Sequence, residues 1–288
     1  MARILEKTRL SESVYRMKLE APLIAKGRKA GQFIILRTDA EWGERIPLTI
    51  ADADPARGSI DIVFQTVGVT TKRLSAMEVG DRLADLTGPL GRPTEITDYG
   101  TASRRGWVVV VGGGIGVAPA HPIAQAFKAA GNRVTVIMGA RTRELVIMED
   151  EMRRAADEVI IVTDDGSYGR KALVTAPLAE CCERAERPDE VVVVGPPVMM
   201  KFAAAATKPF GVKTIASLNS IMIDGTGMCG GCRVTVGGET KFVCVDGPEF
   251  DAHQVDFDGF IRRGGTFRRE EAAHKCRSGL FGGGEGSK

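Results

Sequence analysis

The chain has 288 residues, 43% of them hydrophobic, and its 39 Lys and Arg against 37 Asp and Glu leave a net charge of +2. That length accommodates two domains, or two and a small appended module, and the balanced charge without long runs of one sign argues against a nucleic-acid binder. The first ten residues, MARILEKTRL, interleave charged and apolar groups, so the continuous apolar stretch of a secretory signal is missing and a cytoplasmic protein is expected.

Residues 1–102 hold short alternating segments, Ser13 to Leu19, Gln32 to Arg37, Leu48 to Ala51 and Ser59 to Thr66, separated by Gly, Pro and Asp turns. Alternation with a period of two between such turns predicts an antiparallel β barrel. Arg45, Pro47, Leu48 and Thr49 open one strand with a cation, a fixed turn and a hydroxyl, a grouping that suits a phosphate and a flavin ring. Gly68, Thr70 and Thr71 offer backbone N–H groups and hydroxyls to a pyrophosphate. A surface Arg and an ordinary β-turn explain both stretches equally well, so the residues alone leave the choice open.

From Gly106 the pattern changes. The apolar runs Trp107 to Val111, Val134 to Met138, Val159 to Val162 and Val191 to Val194 each precede a helix-like stretch, which predicts a parallel α/β sheet covered on both faces over residues 103–216. Trp107 to Ala120 carries no charge, yet its glycines and prolines make it a buried strand and turn and not a membrane helix. Gly112, Gly113, Gly114 and Gly116 follow the first of these strands directly, where a pyrophosphate docks on a helix N-terminus. The spacing is not G-x-G-x-x-G. No acidic residue closes the next strand, and Arg141 and Arg143 follow it instead, which leaves NAD against NADP undecided. Two further loops, one containing Asp165 and one Gly195 and Pro196, leave strands at their C-terminal ends, the ligand edge of such sheets. Each is also an ordinary turn sequence.

Asp224, Cys229, Cys232 and Cys244 form a D-x4-C-x2-C-x11-C array in a third piece, residues 217–260, that is too short for a core of its own and is expected to be stapled by a metal. Four anionic groups drawn together repel one another unless a cation or cluster neutralises them. The spacing fits the plant-type iron–sulfur run C-x4-C-x2-C…C if Asp224 replaces the first cysteine, and Gly225, Gly227, Gly230 and Gly231 can turn N–H groups toward sulfur. A [2Fe-2S] cluster is therefore the first expectation. Zinc is the second, because a C-x2-C knuckle more usually pairs with another knuckle or with histidines. A disulfide is the third; six cysteines without a secretion signal speak for metal or redox chemistry.

Residues 261–288 are charged, then glycine-rich, with one short helix expected around Phe267 to Lys275, a free thiol at Cys276 and a disordered end. His121, His253 and His274 are isolated and are assigned nothing; of Cys181 and Cys182, on a helix, one is expected to pack inward.

The order R-x-P-x-T, G-x-x-T, G-P-L-G, G-G-G-I-G-V-A-P, D-D-G-S-x-G, V-G-P-P and then the cysteine array resembles the ferredoxin-NADP reductase superfamily over residues 1–260. It is most similar to the iron–sulfur branch: the electron-transfer subunit of dihydroorotate dehydrogenase B and the small subunits of NADH-dependent ferredoxin:NADP oxidoreductase and sulfide dehydrogenase. Dihydroorotate-type subunits carry Cys at the position of Asp224, whereas Asp with three Cys is the pattern of the other two. The resemblance implies FAD held by Arg45, Pro47, Leu48 and Thr49 with Gly68 and Thr70 or Thr71, NAD(H) on the sheet, and a cluster near the flavin. Relatives often carry S-L-E where this chain has Ser217-Leu218-Asn219, so a proton-handling role for that glutamate does not transfer, although Asn219 remains able to hydrogen-bond the ring.

Because nicotinamide gives two electrons as hydride and a cluster accepts one at a time, flavin must stand between them. No acid–base residue is required. The expected partner is a larger flavin and iron–sulfur subunit similar to glutamate synthase small subunits, passing electrons to ferredoxin and NADP or to a sulfur compound. A dihydroorotate dehydrogenase B subunit is the alternative, and a zinc-stapled protein that senses NADH without turning it over is a remote one.

Overall fold

The computed structural model describes residues 2–41 and 43–278. Six strands come first: β1 (Ile4–Arg9), β2 (Val14–Glu20), β3 (Phe33–Arg37), β4 (Ile46–Asp54), β5 (Ser59–Gln65) and β6 (Asp85–Leu90), in the antiparallel order β1-β2-β5-β4-β3-β6. Two short helices, α1 (Pro22–Gly27) and α2 (Val69–Ala76), lie between them. The two edges meet where Ile4 N donates to Asp81 O and Leu83 N to Ala2 O, so the sheet curls into the expected barrel. Ile60, Ile62 and Phe64 project from one face of β5 and Met17 and Leu19 from β2, and all are at most 1% exposed. Burying each such side chain stabilises the barrel by about 1.5–3 kcal/mol. Phe33 to Leu36 break the alternation because β3 is covered twice. Ile34 and Leu36 face the barrel core, and Phe33 and Ile35 face outward into the core of the neighbouring sheet.

The second sheet contains β7 (Trp107–Gly113), β8 (Arg133–Ala140), β9 (Glu158–Thr163), β10 (Arg170–Lys171), β11 (Glu190–Val194), β12 (Lys213–Ser217) and a late strand, β15 (Glu249–Asp251). Their order is β10-β9-β8-β7-β11-β12-β15, parallel except for the last pair. Helices α3 (Val117–Ala129) and α4 (Glu149–Ala155) cover one face, and α5 (Thr175–Glu183) and α6 (Pro197–Thr207) the other. Val108 and Val110 meet Ile123 and Phe127 of α3, whereas Val109 and Val111 join Leu178 and Met200 beyond the sheet. This double covering is why β7 reads as an unbroken apolar run. One of Cys181 and Cys182 is expected to pack inward, and both do, each fully buried in the core that α5 shares with the sheet and α6.

The remaining elements are the hairpin β13 (Arg233–Val236) and β14 (Glu239–Phe242), helix α7 (Val243–Asp246), and helices α8 (Phe257–Gly264) and α9 (Arg268–Ser278). The iron–sulfur segment does not depend on a metal alone. β15 pairs antiparallel with β12, matching Ser217 with Glu249, and Phe250, Phe257 and Phe260 share one core with Trp107 and Met200. The side chain of Cys276 and the glycine-rich end from residue 279, with the disorder expected there, lie outside the described residues. No helix among the described residues is long and apolar enough to cross a membrane.

Candidate functional site

A crevice of about 1360 Å³ runs between barrel and sheet. It opens where the sheet order reverses, with β8 on one side of β7 and β11 on the other, at the C-terminal ends of the strands. Pro47, Leu48 and Thr49 line it from β4, Gly113 from the end of β7, Gly114 and Gly116 from the turn after it, and Gly195 and Pro196 from the turn after β11. Gly112 sits beneath the same turn, where a Cβ would come within 2.9 Å of Val117 Cα. Gly116 has no room for one either: its Cβ would stand 2.3 Å from Val194 O, so only glycine lets α3 start this close to β11. Asp165 does not line the crevice; its neighbour Asp164 does, and Asp165 instead accepts from Ser167 N at 2.9 Å and Ser167 Oγ at 2.7 Å.

Four expected flavin contacts lie outside the lining. Arg45 is paired with Asp85 at 3.0 Å. Gly68 is the N-cap of α2, so the stretch that also reads as a β-turn is a helix start. Thr71 Oγ1 accepts from Gly68 N and donates to Gly68 O, each at 3.0 Å, which closes the first turn, while Thr70 Oγ1 donates to Glu44 at 3.0 Å. Residues not singled out from the sequence also reach the crevice: Phe33, Met222 and Pro248. Register places Phe33, since it pairs with Thr49 across β3 and β4, but that pairing carries no signal in either segment alone.

The crevice leads into the cysteine array. Ser217, Leu218, Asn219 and Met222 line its wall, and Asp224 follows two residues later. The hairpin β13–β14 turns on Gly237 and Gly238, whose φ values of 59 and 82° are those of a tight two-residue turn. That turn returns the chain so that Val243 N donates to Cys232 O at 3.1 Å and the Cys232 and Cys244 sulfurs stand 3.3 Å apart, both buried. Cys244 has its thiol pushed up to about 12 by burial and by the Cys232 thiol beside it.

Asp224 and Cys229 make a second, exposed pair at 3.3 Å. Burial pushes the Asp224 carboxyl up, but hydrogen bonds from Cys229 Sγ and N and from Thr226 N and Oγ1 outweigh it and hold it at about 2. Gly225 and Gly227, at φ 74 and 83°, bend this loop into a shape other residues resist. A Cβ on Gly225 would also press within 2.7 Å of Leu90 in the barrel. Among the described residues no three His, Cys, Asp or Glu side chains are arranged to hold a single metal ion. The four form two pairs, a donor set suited to two irons.

Residues 219–256 match the iron–sulfur cluster binding domain of dihydroorotate dehydrogenase B, and residues 110–205 match the oxidoreductase NAD-binding domain. The dihydroorotate dehydrogenase B (NAD(+)) electron transfer subunit homolog of Thermotoga maritima is 46% identical over 268 residues, 93% of this chain and 92% of that protein. The dihydroorotate dehydrogenase B (NAD(+)) electron transfer subunit of Caldanaerobacter subterraneus subsp. tengcongensis is 33% identical over 262 residues, 89% of this chain and 98% of that protein. The chain belongs to the dihydroorotate dehydrogenase B electron-transfer subunit family.

As a member it is an oxidoreductase that transfers electrons and carries an iron–sulfur binding domain and an NAD-binding domain. The resemblance drawn from the motifs therefore holds. A solved structure described as giving insights into flavin-based electron bifurcation, that of NADH-dependent reduced ferredoxin-NADP oxidoreductase, superposes on this electron-transfer subunit with a TM-score of 0.89 at 43% identity. The match covers 96% of this chain and 98% of that one. Phthalate dioxygenase reductase, at 17% identity, a TM-score of 0.57 and 82% and 85% coverage, shares the fold.

Proposed function

We propose that this chain passes electrons between NAD(H), FAD and a [2Fe-2S] cluster to or from a larger flavin and iron–sulfur subunit, within an NADH-dependent ferredoxin:NADP oxidoreductase. The observation that carries this reading is the continuity of the site. One crevice is walled by Thr49 of the barrel, Gly114 of the nucleotide turn and Met222 of the segment that runs into Asp224. The similarity to the solved reductase over nearly the whole chain supports the same assignment.

FAD, when bound, accepts hydride from nicotinamide and hands electrons on singly. Pro47, Leu48 and Thr49 hold the flavin ring against the sheet, with Phe33 beside them. Arg45 and the N-terminus of α2 at Gly68, Thr70 and Thr71 serve its pyrophosphate, whose charge suits the positive end of an eight-residue helix. Gly112, Gly113, Gly114 and Gly116 let the dinucleotide approach the backbone, with Gly195 and Pro196 bounding it on the far side of the turn. Asn219 offers the ring a hydrogen bond in place of a carboxylate. Asp224 and Cys229 take one iron, and Cys232 and Cys244 the other.

The dihydroorotate dehydrogenase B assignment is the second reading, favoured by the family to which residues 219–256 belong. Asp224 weighs against it. The visible spectrum of protein purified without oxygen, recorded before and after NADH, tests the proposal. Flavin bands with broad iron–sulfur absorption that bleach together are expected. Zinc without iron, or bands that NADH leaves untouched, overturn it.

A further inference from the structure

Glu249 follows the crevice-lining Pro248 and stands five residues after Cys244 in the chain, and none of the roles above uses it. It stands on β15, one residue after Pro248 and opposite Ser217, and both of these line the crevice. In the other direction Gly247 and Pro248 join it to α7, which carries Cys244. Its carboxylate is held across the molecule: Thr94 Oγ1, on the connection from barrel to sheet, donates to Glu249 Oε1 at 2.8 Å. The barrel closes over the pair at Gly31, where a Cβ would come within 2.4 Å of Thr94 Oγ1 and 2.8 Å of Glu249 Oε1.

Among the described residues no cation forms an ion pair with this carboxylate. Arg92, two residues before Thr94, is turned away, its Nε donating to Val245 O at 3.2 Å and its Nη2 lying 3.8 Å from Asp246. Glu190 of β11 acts on it from the sheet with the same sign, although Lys213 at 2.9 Å offsets part of that charge. Gly31 presents no side chain. A largely buried carboxylate with one neutral donor sits where a small change in local charge decides its protonation.

We propose that Glu249 takes up a proton when the iron–sulfur cluster held by Cys244, five residues before it in the chain, is reduced, so that electron entry is coupled to pH. This rests on the flavin and cluster reading above. The electron comes from NADH through the flavin and adds one negative charge at the cluster; the proton comes from solvent and binds a Glu249 carboxylate oxygen, so the added charges cancel over carboxylate and cluster together. The position of the group supports this, since burial pushes the Glu249 carboxyl up to about 7, with the Thr94 hydrogen bond pulling it down and Glu190 pushing it further up. By linkage, a group whose proton affinity rises on reduction makes the midpoint potential fall as pH rises through that range.

The test is an electron paramagnetic resonance redox titration of the cluster in the holoprotein between about pH 6 and about pH 8, spanning a carboxyl displaced toward neutrality. It is run on the natural chain, Glu249→Gln and Thr94→Val, with reduction-induced infrared difference spectra of the same samples. The natural protein is expected to show a potential that falls with pH and a protonated-carboxyl band that appears on reduction. Glu249→Gln should lose both. Thr94→Val, which removes the bond to the ionised form, should move the bend to higher pH and serves as the deciding variant if Glu249→Gln does not fold. An unchanged pH slope in Glu249→Gln with the cluster signal intact, or an unmoved bend in Thr94→Val, overturns the inference and leaves the electron-transfer reading standing. Absence of any cluster signal from the natural protein overturns both.

Discussion

Cys232 and Cys244 stand 12 positions apart in the chain, yet a four-residue-per-arm hairpin brings their sulfurs to 3.3 Å. Backbone register starts the pairing: Arg233 faces Phe242, the residues just beyond the arms meet as Val243 N donates to Cys232 O at 3.1 Å, and α7 then carries Cys244, the next residue, to the Cys232 sulfur.

That register depends on the turn. Gly238 has φ 82° and open space where a Cβ would go, so Gly238→Ala strains the backbone without a clash. A cost of about 1–2 kcal/mol is expected from a left-handed position occupied by an L-residue. Chemical denaturation should read that loss, and iron content per chain should fall with it; an unchanged midpoint contradicts the assigned turn.

The two-pair arrangement makes specific demands on ligands. Cys232→Ser and Cys244→Ser are each expected to reduce bound iron from about two atoms per chain to well below one. Asp224→Cys should keep the cluster, since thiolate is the common ligand at such sites, while Asp224→Ala should lose it. Iron and acid-labile sulfide analysis decides. Loss of iron in Asp224→Cys would remove Asp224 from the ligand set.

The nucleotide turn offers two glycines that fail for different reasons. Gly116→Ala drives a Cβ to within 2.3 Å of a backbone carbonyl, so overpacking should cost about 1–3 kcal/mol of stability. Gly114→Ala meets nothing within 4 Å at φ 55°, and costs about 1–2 kcal/mol through its backbone alone. Its new methyl, on a residue that lines the crevice, should also weaken NADH binding. Calorimetric binding alongside thermal denaturation separates the two effects.

Acid stability should show two opposing contributions. His121 is buried between barrel and sheet, its Nδ1 3.3 Å from Ala51 O, and burial lowers its affinity for a proton. Its folded value is depressed, so the unfolded chain binds more protons below about pH 6.5, and this contribution to stability is lost as pH falls through that point. Glu249 runs the other way. Its carboxyl is raised to about 7 in the fold, so its contribution is present below the unfolded value near about 4.3 and lost as pH rises toward 7. In cofactor-free protein, His121→Gln should flatten the loss of urea midpoint on acidification, and Glu249→Gln should flatten the loss on neutralisation. A variant that leaves its slope unaltered refutes that residue's part.

Much of the fold was legible locally. Alternation at Ile60, Ile62 and Phe64 marked a barrel strand, and the unbroken run from Trp107 to Val111 marked a strand covered on both faces. Strand β1, strand β12 and helix α2 escaped, because charged residues such as Glu6 and Lys7 or a short five-residue span hide the period.

What the sequence determined by itself about this protein is what local chemistry decides: the period of the barrel strands and of the buried runs, the glycine turns, and the spacing that sets Asp224, Cys229, Cys232 and Cys244 in one array. Only the tertiary structure decided that β15 closes the parallel sheet from the opposite direction, that Phe33 and Pro248 share one crevice, and that Thr94 meets Glu249 across 155 positions of chain. Local preference acts over a few residues, whereas these contacts depend on how whole sheets pack, and chain closure over such distances leaves no periodic trace in the segments it joins.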